Sequence, residues 1–354
     1  MVTEESTVDA EKLTDFSARV FQKMGVPEED ALITARALVA ADLRGIDSHG
    51  VAHLAPFYVK RIKDGLINVK PQIQMTSQAP STAIMDGDEG LGFVVGYRAM
   101  EEAMKRADET GAGFIAVRHS THFGAGAYYA MMAFSHNMIG ISLTQGGRGV
   151  VAPGGKGKGV GLNVISIAVP AKEEAPFVLD MATGVVAGGK LELAAMNKTT
   201  IPEGWAVDMD GNPVTEVAKA TGGILPLGGT PTLGSYKGFG LTVLVDILCS
   251  TLSGGLSVPE MESGPGTTGK ATHFFGALRI NGFMPVEEFK ERMDAMIKAH
   301  HDLPRAVGVD RIYLAGEVEQ EKEKERRSKG IPLHPTVIAS LQELARELDI
   351  EYNL

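Results

Sequence analysis

Along the first seventy residues, apolar side chains recur at the spacing of an amphipathic helix. Leu13, Phe16, Val20, Phe21 and Met24 share one face, and Gly25 with Pro27 closes that helix and opens the next. The second helix runs through ALITARALVAADL and carries Arg44 at its end. A third is expected beyond it, with Leu54, Phe57, Tyr58 and Ile62 on one face and Gly65 as its stop. From about residue 70 the texture changes. The runs STAIMD, GFIAVRH, MIGISLTQ, VISIAVP, APFVLDMA and THFFGALRI read as strands. FVVGYRAMEEAMKRADE and FGLTVLVDILCSTL read as helices between them. The order does not alternate cleanly enough to demand a parallel sheet. After residue 284 the chain turns helical again, through PVEEFKERMDAMIKAHH, EVEQEKEKERR and TVIASLQELAREL. The charged run among these is a solvated helix face. The pattern divides the chain into a helical segment over 1–70, an α/β body over 71–284 and C-terminal helices over 285–354. The last helices are expected to pack back on the first three, because each set alone is too thin for a core.

Composition narrows the function classes. The chain has 354 residues and a formal net charge of −10. That charge argues against nucleic acid or an anionic membrane as a standing partner. The single cysteine, Cys249, rules out an internal disulfide and a Cys-rich metal site. It lies in an apolar run and reads as a small core residue. The acidic N-terminus has no hydrophobic signal core and no run approaches a membrane span, so a cytoplasmic protein is expected.

Three motifs fail on inspection. SGPGTTGKA nearly spells a phosphate-binding loop, but Ala271 stands where a Ser or Thr should hold magnesium. The pattern G-x-G-x-x-G occurs only there, at Gly264, Gly266 and Gly269, without the preceding strand and following helix that give it meaning. DMDGNP opens like a calcium loop, but it has Pro213 and Lys219 instead of the closing glutamate, and reads as a hairpin turn.

One constellation survives. RGIDSHGVAHL, residues 44 to 54, sets Arg, Asp, Ser and two His close together at a junction between helices. Such groups cost free energy on burial unless each finds a partner. His49 follows a Ser and an Asp, His53 lies four residues on, and His122 stands in RHSTHFGAG. A neighbouring hydroxyl or carboxylate can fix an imidazole's tautomer and tune it for proton transfer. The i, i+4 pair His49 and His53 also admits a metal site, but no HExxH glutamate lies between them and the ligand set is incomplete. A metallohydrolase and a non-catalytic ligand-binding protein are therefore the rival classes.

DLRGIDSHGV, STHFGAGAYYA, FVLDMATGVVAGGK, IPEGWAVDMDGNP, YKGFGL and RIYLAGE follow one another in an order that resembles the malate/L-lactate dehydrogenase family of type 2. The family includes L-sulfolactate, ureidoglycolate and diketogulonate oxidoreductases and cyclic-imine reductases. The resemblance spans nearly the whole chain. It implies an α+β fold, with a non-Rossmann NAD(P)-binding domain built on a mixed or antiparallel sheet and a helical domain made from both termini. It also implies a homodimer, and NAD or NADP as cofactor. Carried over by position, His49 matches the proton donor and acceptor, and Ser48 its hydrogen-bonding neighbour. His122 matches a histidine at the nicotinamide that takes the acid/base role in some members. Asp180, Met181 and Ala182, the pair Lys237 and Gly238, and the pair Gly316 and Glu317 match cofactor-binding segments, and no metal is implied.

Three departures bear on the substrate. Many relatives carry Arg at the position of His53, where it grips a substrate carboxylate; His offers a shorter and pH-dependent grip. Arg44 or Arg61 then becomes a candidate for that carboxylate. Thr144-Gln145 and Gly161-Leu162-Asn163-Val164 also replace the usual TN and GTNP. The expected reaction is hydride transfer between nicotinamide and C2 of a small malate- or lactate-like 2-hydroxy or 2-oxo acid, with His49 as acid/base. A cyclic-imine, ureidoglycolate or sulfolactate-type activity is the alternative.

Overall fold

The computed structural model describes residues 6–261 and 270–354. The stretch from Ser263 to Gly269, with all three glycines of the G-x-G-x-x-G match, lies outside the described residues. The helix Ala10–Lys23 starts where the Asp9 carboxylate accepts the amides of Glu11 and Lys12 at 2.9 and 3.0 Å. It ends before Gly25, whose φ of 89° suits a residue without a Cβ. The helix Glu28–Leu43 then opens after Pro27, with three carboxylates in its first turn.

Both chain termini close one core. Leu13, Phe16, Val20 and Phe21 of the first helix are fully buried with Leu341 and Leu344 of the helix Pro335–Leu348. Each such side chain contributes roughly 1.5–3 kcal/mol over its exposed state. The strands Ser6–Val8 and Ile331–Leu333 pair antiparallel beside them. The charged helix Glu317–Lys329 is tied to the N-terminal segment through polar contacts, with Glu323 on Arg44 and Arg326 on Asp47. The helix Val286–His301 is held elsewhere. Its Asp294 carboxylate accepts the amides of Lys172, Glu173 and Glu174 at the end of the sheet body.

The body is a seven-stranded sheet in the spatial order Gln74–Ala79, Thr82–Asp86, Ala112–Ser120, Ala271–Arg279, Met138–Thr144, Val164–Val169 and Phe177–Ala182. Only the second and third of these run parallel, joined by the helix Gly92–Thr110; every other pair is antiparallel. All six expected strands are in it. The seventh, QMTSQA, is exposed along its whole length and carries no alternation to betray it. A second sheet of five short strands holds the hairpin at Asp208, whose carboxylate accepts the amides of Asp210 and Asn212. The fold is α+β, with mixed and antiparallel sheets and helices from both termini. Among the described residues no helix is long and apolar enough to cross a membrane.

Helix and sheet approach closely where glycine allows it. A Cβ on Gly140 would sit 2.0 Å from the Ala130 carbonyl oxygen of the helix Gly126–Met132. Gly140→Val must push that helix off the sheet, and such overpacking typically costs about 1–3 kcal/mol. Thermal unfolding should show a lower Tm for this variant; an unchanged Tm would mean that helix and strand are not in backbone contact here.

Candidate active site

The motif begins where the helix Glu28–Leu43 ends. Arg44 caps it and Gly45, at φ 77°, turns the chain. Two single 3-10 turns follow, Asp47–His49 and Val51–His53, and a π-helical turn over Leu54–Val59 leads into the short helix Lys60–Lys63. The expected third helix is thus wound more widely in its first part. Pro56 cannot supply the amide that the regular ladder requires there. π-turns of this kind recur at functional sites.

Asp42 holds this turn in place. It is 1% exposed, and its carboxylate accepts the Val51 amide at 2.9 Å. Gly50 leaves the space it fills: a Cβ there would lie 1.9 Å from Asp42 Oδ1. Burial pushes the Asp42 carboxyl up to about 7, against the lowering effect of the Val51 amide. From the other side Arg326 donates to the Asp42 carbonyl and to the Asp47 carboxylate.

The turn brings three histidines together. The rings of His49 and His122 stack with centroids 5.7 Å apart, and those of His49 and His53 at 6.4 Å. Ser48 Oγ lies 2.9 Å from His49 Nδ1, and Tyr58 reaches His122 Nδ1 at 2.7 Å through its hydroxyl. Phe57 packs its edge against both His53 and His122, with the Arg61 guanidinium 3.5 Å over its ring. Burial holds all three histidines below their usual range. His53 is lowered further by His49 and Arg61, and its buried Nδ1 has no hydrogen-bond partner. His122 falls to about 3, through burial first and then through electrostatic opposition from His49, His53, His273 and Arg61. The residue is exposed to solvent, yet much protein lies around the ring, and that surrounding protein is what disfavours the cation. At neutral pH the cluster is uncharged.

A cleft of about 270 Å³ lies beside the motif, lined by Arg44, Asp180, Tyr313, Gly316 and Glu319 among others. Asp180 stands on the edge strand Phe177–Ala182 with Met181 and Ala182, and accepts from the Ala127 amide and the Ser166 hydroxyl. Burial raises its carboxyl, against those two hydrogen bonds and Arg44. Gly316, at φ 94°, packs against Val178, from which an added Cβ would be only 2.7 Å away. Arg44 is buried, pairs with Glu323 at 3.2 Å, and has an Nε without a partner. It belongs to this cleft rather than to the ring of groups around the histidines.

The sequence and fold can now be set against known proteins. Residues 8–342 match the family model described as malate/L-lactate dehydrogenase. The chain belongs to the malate/L-lactate dehydrogenase family. It is 44% identical over 348 residues to a malate dehydrogenase of Pyrococcus horikoshii, covering 97% of this chain and 96% of that protein. It is 40% identical over 335 residues to an L-sulfolactate dehydrogenase of Methanocaldococcus jannaschii, covering 94% of each. The crystal structure of malate dehydrogenase from Entamoeba histolytica superposes with a TM-score of 0.93 at 31% identity, over 99% of this chain and 100% of that one. The protein is accordingly an NAD(P)-dependent dehydrogenase, and family membership sets the metallohydrolase class aside.

Within this dehydrogenase fold the remaining site residues spread out. Lys237 is exposed near the start of the helix Ser235–Asp246, and Gly238 lets that helix approach Leu227, whose carbonyl would lie 2.3 Å from an added Cβ. Glu317 is 3% exposed and spends its carboxylate on His301, Arg311 and the Leu314 amide. It braces the turn at Gly316. Gln145 and Asn163 act as internal ties. Gln145 donates to Ser250 and to the Leu256 carbonyl, and Asn163 bridges the Gly146 amide and the Thr242 carbonyl. Asp42, Arg326 and the hydroxyl of Tyr58 escaped the sequence reading. Only Tyr58 left a signal there, as a tyrosine on an apolar face whose buried hydroxyl needs a partner.

Two groups should give opposite pH signatures. His122 has its folded value near 3 against 6.5 when free, so the unfolded chain takes up a proton that the native one refuses. That share of stability is present above 6.5 and lost as pH falls toward 3; His122→Asn should flatten the loss. Asp42, near 7 when folded against 3.8, works the other way, with stability lost as pH rises between those values. Asp42→Asn should remove that decline. Melting curves recorded from pH 4 to 8 check both, and two variants with wild-type slopes would show that neither group titrates as buried.

Proposed function

We propose that the protein transfers a hydride between nicotinamide and C2 of a small 2-hydroxy or 2-oxo acid, with His49 as acid/base. The observation that carries this reading is the meeting of His49, its neighbour Ser48 and the distant His122 in one cluster of a chain whose relatives are dehydrogenases. When bound, the nicotinamide ring supplies or accepts the hydride. His49 gives a proton to the substrate oxygen in reduction and takes one in oxidation, with Ser48 steadying its ring. His53 and Arg61 meet the substrate's carboxylate end. The malate- and sulfolactate-named relatives both point to a substrate with a second acidic group.

The cofactor fits this chain's residues. Arg44 offers a buried Nε without a partner in the cleft, which suits an anionic or hydroxyl oxygen. Val178, Leu179 and Asp180 line one side and Gly316 the other, with Met181 and Ala182 next along the same strand and Glu317 bracing Gly316 from behind. Glu319 at the same cleft is a carboxylate placed to meet ribose hydroxyls, and it favours NAD over the additional phosphate of NADP. Lys237 and Gly238 take the cofactor's far end. A homodimer is part of the proposal. Tyr236, Leu244, Ile247 and Leu252 form an exposed apolar stripe along one helix and the turn after it, a surface that a partner would cover.

Oxidation of NADH and NADPH followed at 340 nm against oxaloacetate, pyruvate, sulfopyruvate and a cyclic imine tests the reading. Turnover of an acyclic 2-oxo acid is the expected result, and turnover of the cyclic imine alone would overturn it. His49→Asn should lower kcat by about 10² to 10⁴, the usual worth of an acid/base group, with little change in Tm. For His53, KM in reduction should climb as pH rises, since the ring must gain a proton to grip a carboxylate; His53→Arg should flatten that rise. A wild-type KM that is independent of pH removes His53 from this role.

A further inference from the structure

His122 has surroundings that decide which of its nitrogens carries a proton. Its Nδ1 faces two donors, the Tyr58 hydroxyl at 2.7 Å and the Gly124 amide at 3.4 Å. A backbone N–H can only donate, so the nitrogen it points at presents a lone pair. The Tyr58 hydroxyl then donates as well, because no hydrogen remains on Nδ1 to give. A neutral imidazole with a bare Nδ1 carries its proton on Nε2. Burial pushes the Tyr58 phenol well above its ordinary range, so Tyr58 keeps its proton and does not relay it.

His49 is placed differently. Its Nδ1 faces the Ser48 hydroxyl at 2.9 Å, and a hydroxyl donates or accepts as required. That hydrogen bond survives whichever protonation state the ring adopts. For His122, protonating Nδ1 would set an N–H against the Gly124 N–H. The groups facing His122 add to the resistance: His49, His53 and Arg61 from the motif and its helix, and His273 from the strand Ala271–Arg279.

We infer that Tyr58, with the Gly124 amide, is a positioning residue that locks His122 in its Nε2–H form, so that His122 donates a hydrogen bond to the substrate oxygen while His49 alone exchanges the proton. This rests on the dehydrogenase reading above for the identity of the oxygen; the lock itself does not. In reduction the proton moves from His49 to the oxygen, the hydride arrives at carbon, and His122 ends as it began.

The test uses the full chain with 15N-labelled histidine and long-range 1H–15N correlation near pH 7.5, with the His122 signals assigned by their loss in His122→Gln. The wild type should show a bare Nδ1 and a protonated Nε2. Tyr58→Phe keeps the buried ring but leaves Nδ1 only the longer contact, so the tautomers should mix and kcat should fall about tenfold, the worth of one hydrogen bond. His122→Gln keeps a donor and should retain the pH-dependent limb of kcat, which His49→Gln should lose. A wild-type Nδ1–H, a Tyr58→Phe variant unchanged in tautomer and kcat, or a limb lost in His122→Gln but kept in His49→Gln each overturns the inference. Absence of turnover in the wild type with any 2-oxo acid would instead refute the dehydrogenase substrate reading, while the tautomer spectrum still decides the lock.

Discussion

The geometry of the histidine turn hangs on one buried contact, the Asp42 carboxylate against the Val51 amide. It forces Gly at position 50, because any side chain there would occupy the carboxylate's own space. The consequence is a chain reversal between the end of one helix and the start of the π-helical turn, with Ser48 and His49 at its outer side. Arg326 then reads two points of the same reversal, the carbonyl of Asp42 and the carboxylate of Asp47. The C-terminal helix that carries Arg326 begins at Gly316, on the wall of the cleft. The cleft and the histidine turn are thereby built on shared supports, from opposite ends of the chain.

The surroundings of the cluster keep charge out of it. Three imidazoles, a phenol and a phenyl ring crowd together, and burial favours the neutral form of each titratable member. Arg61 adds a permanent positive charge nearby, which resists further cations and welcomes an anion. A substrate carboxylate would therefore raise the histidine pKa values as it binds, so binding itself would prepare the acid. A resting site already holding cationic histidines would instead bear mutual repulsion across rings about 6 Å apart.

Departures from the family pattern divide by what surrounds them. Gln145 and Asn163 tie strand ends to the helix Ser235–Asp246, and their amides are largely spent on that work. His53 has an unpartnered buried nitrogen, so its capacity to bind something remains open. Substitution at a tie changes how firmly neighbouring elements are held, whereas His53 stands beside His49 and Phe57 with a nitrogen that no tie uses. Asp180 lies between these cases, lining the cleft with Val178 and Leu179 on the edge strand that also carries Met181 and Ala182.

Six of the seven strands in the main sheet and the long helices were legible as periodicity, because their burial follows directly from apolar spacing. QMTSQA was not, since an exposed edge strand takes its shape from the neighbour it pairs with. The motifs identified the family and singled out His49 and His122. The sequence also exposed the hairpin turn at Asp208, a matter of local chemistry. What it could not determine was which polar groups meet. Asp42 looks like any helix-end carboxylate until Gly50 folds over it, and Arg326 lies 284 positions from it. Arg44 reads as part of the histidine motif, yet tertiary packing turns it into the other cleft. Tyr58 reads as core and is core, but the fold sets its hydroxyl against His122 Nδ1, sixty-four positions away. Periodicity reports how much water a residue avoids; hydrogen bonds between distant segments depend on where closing the core brings them, and only the folded chain decides that.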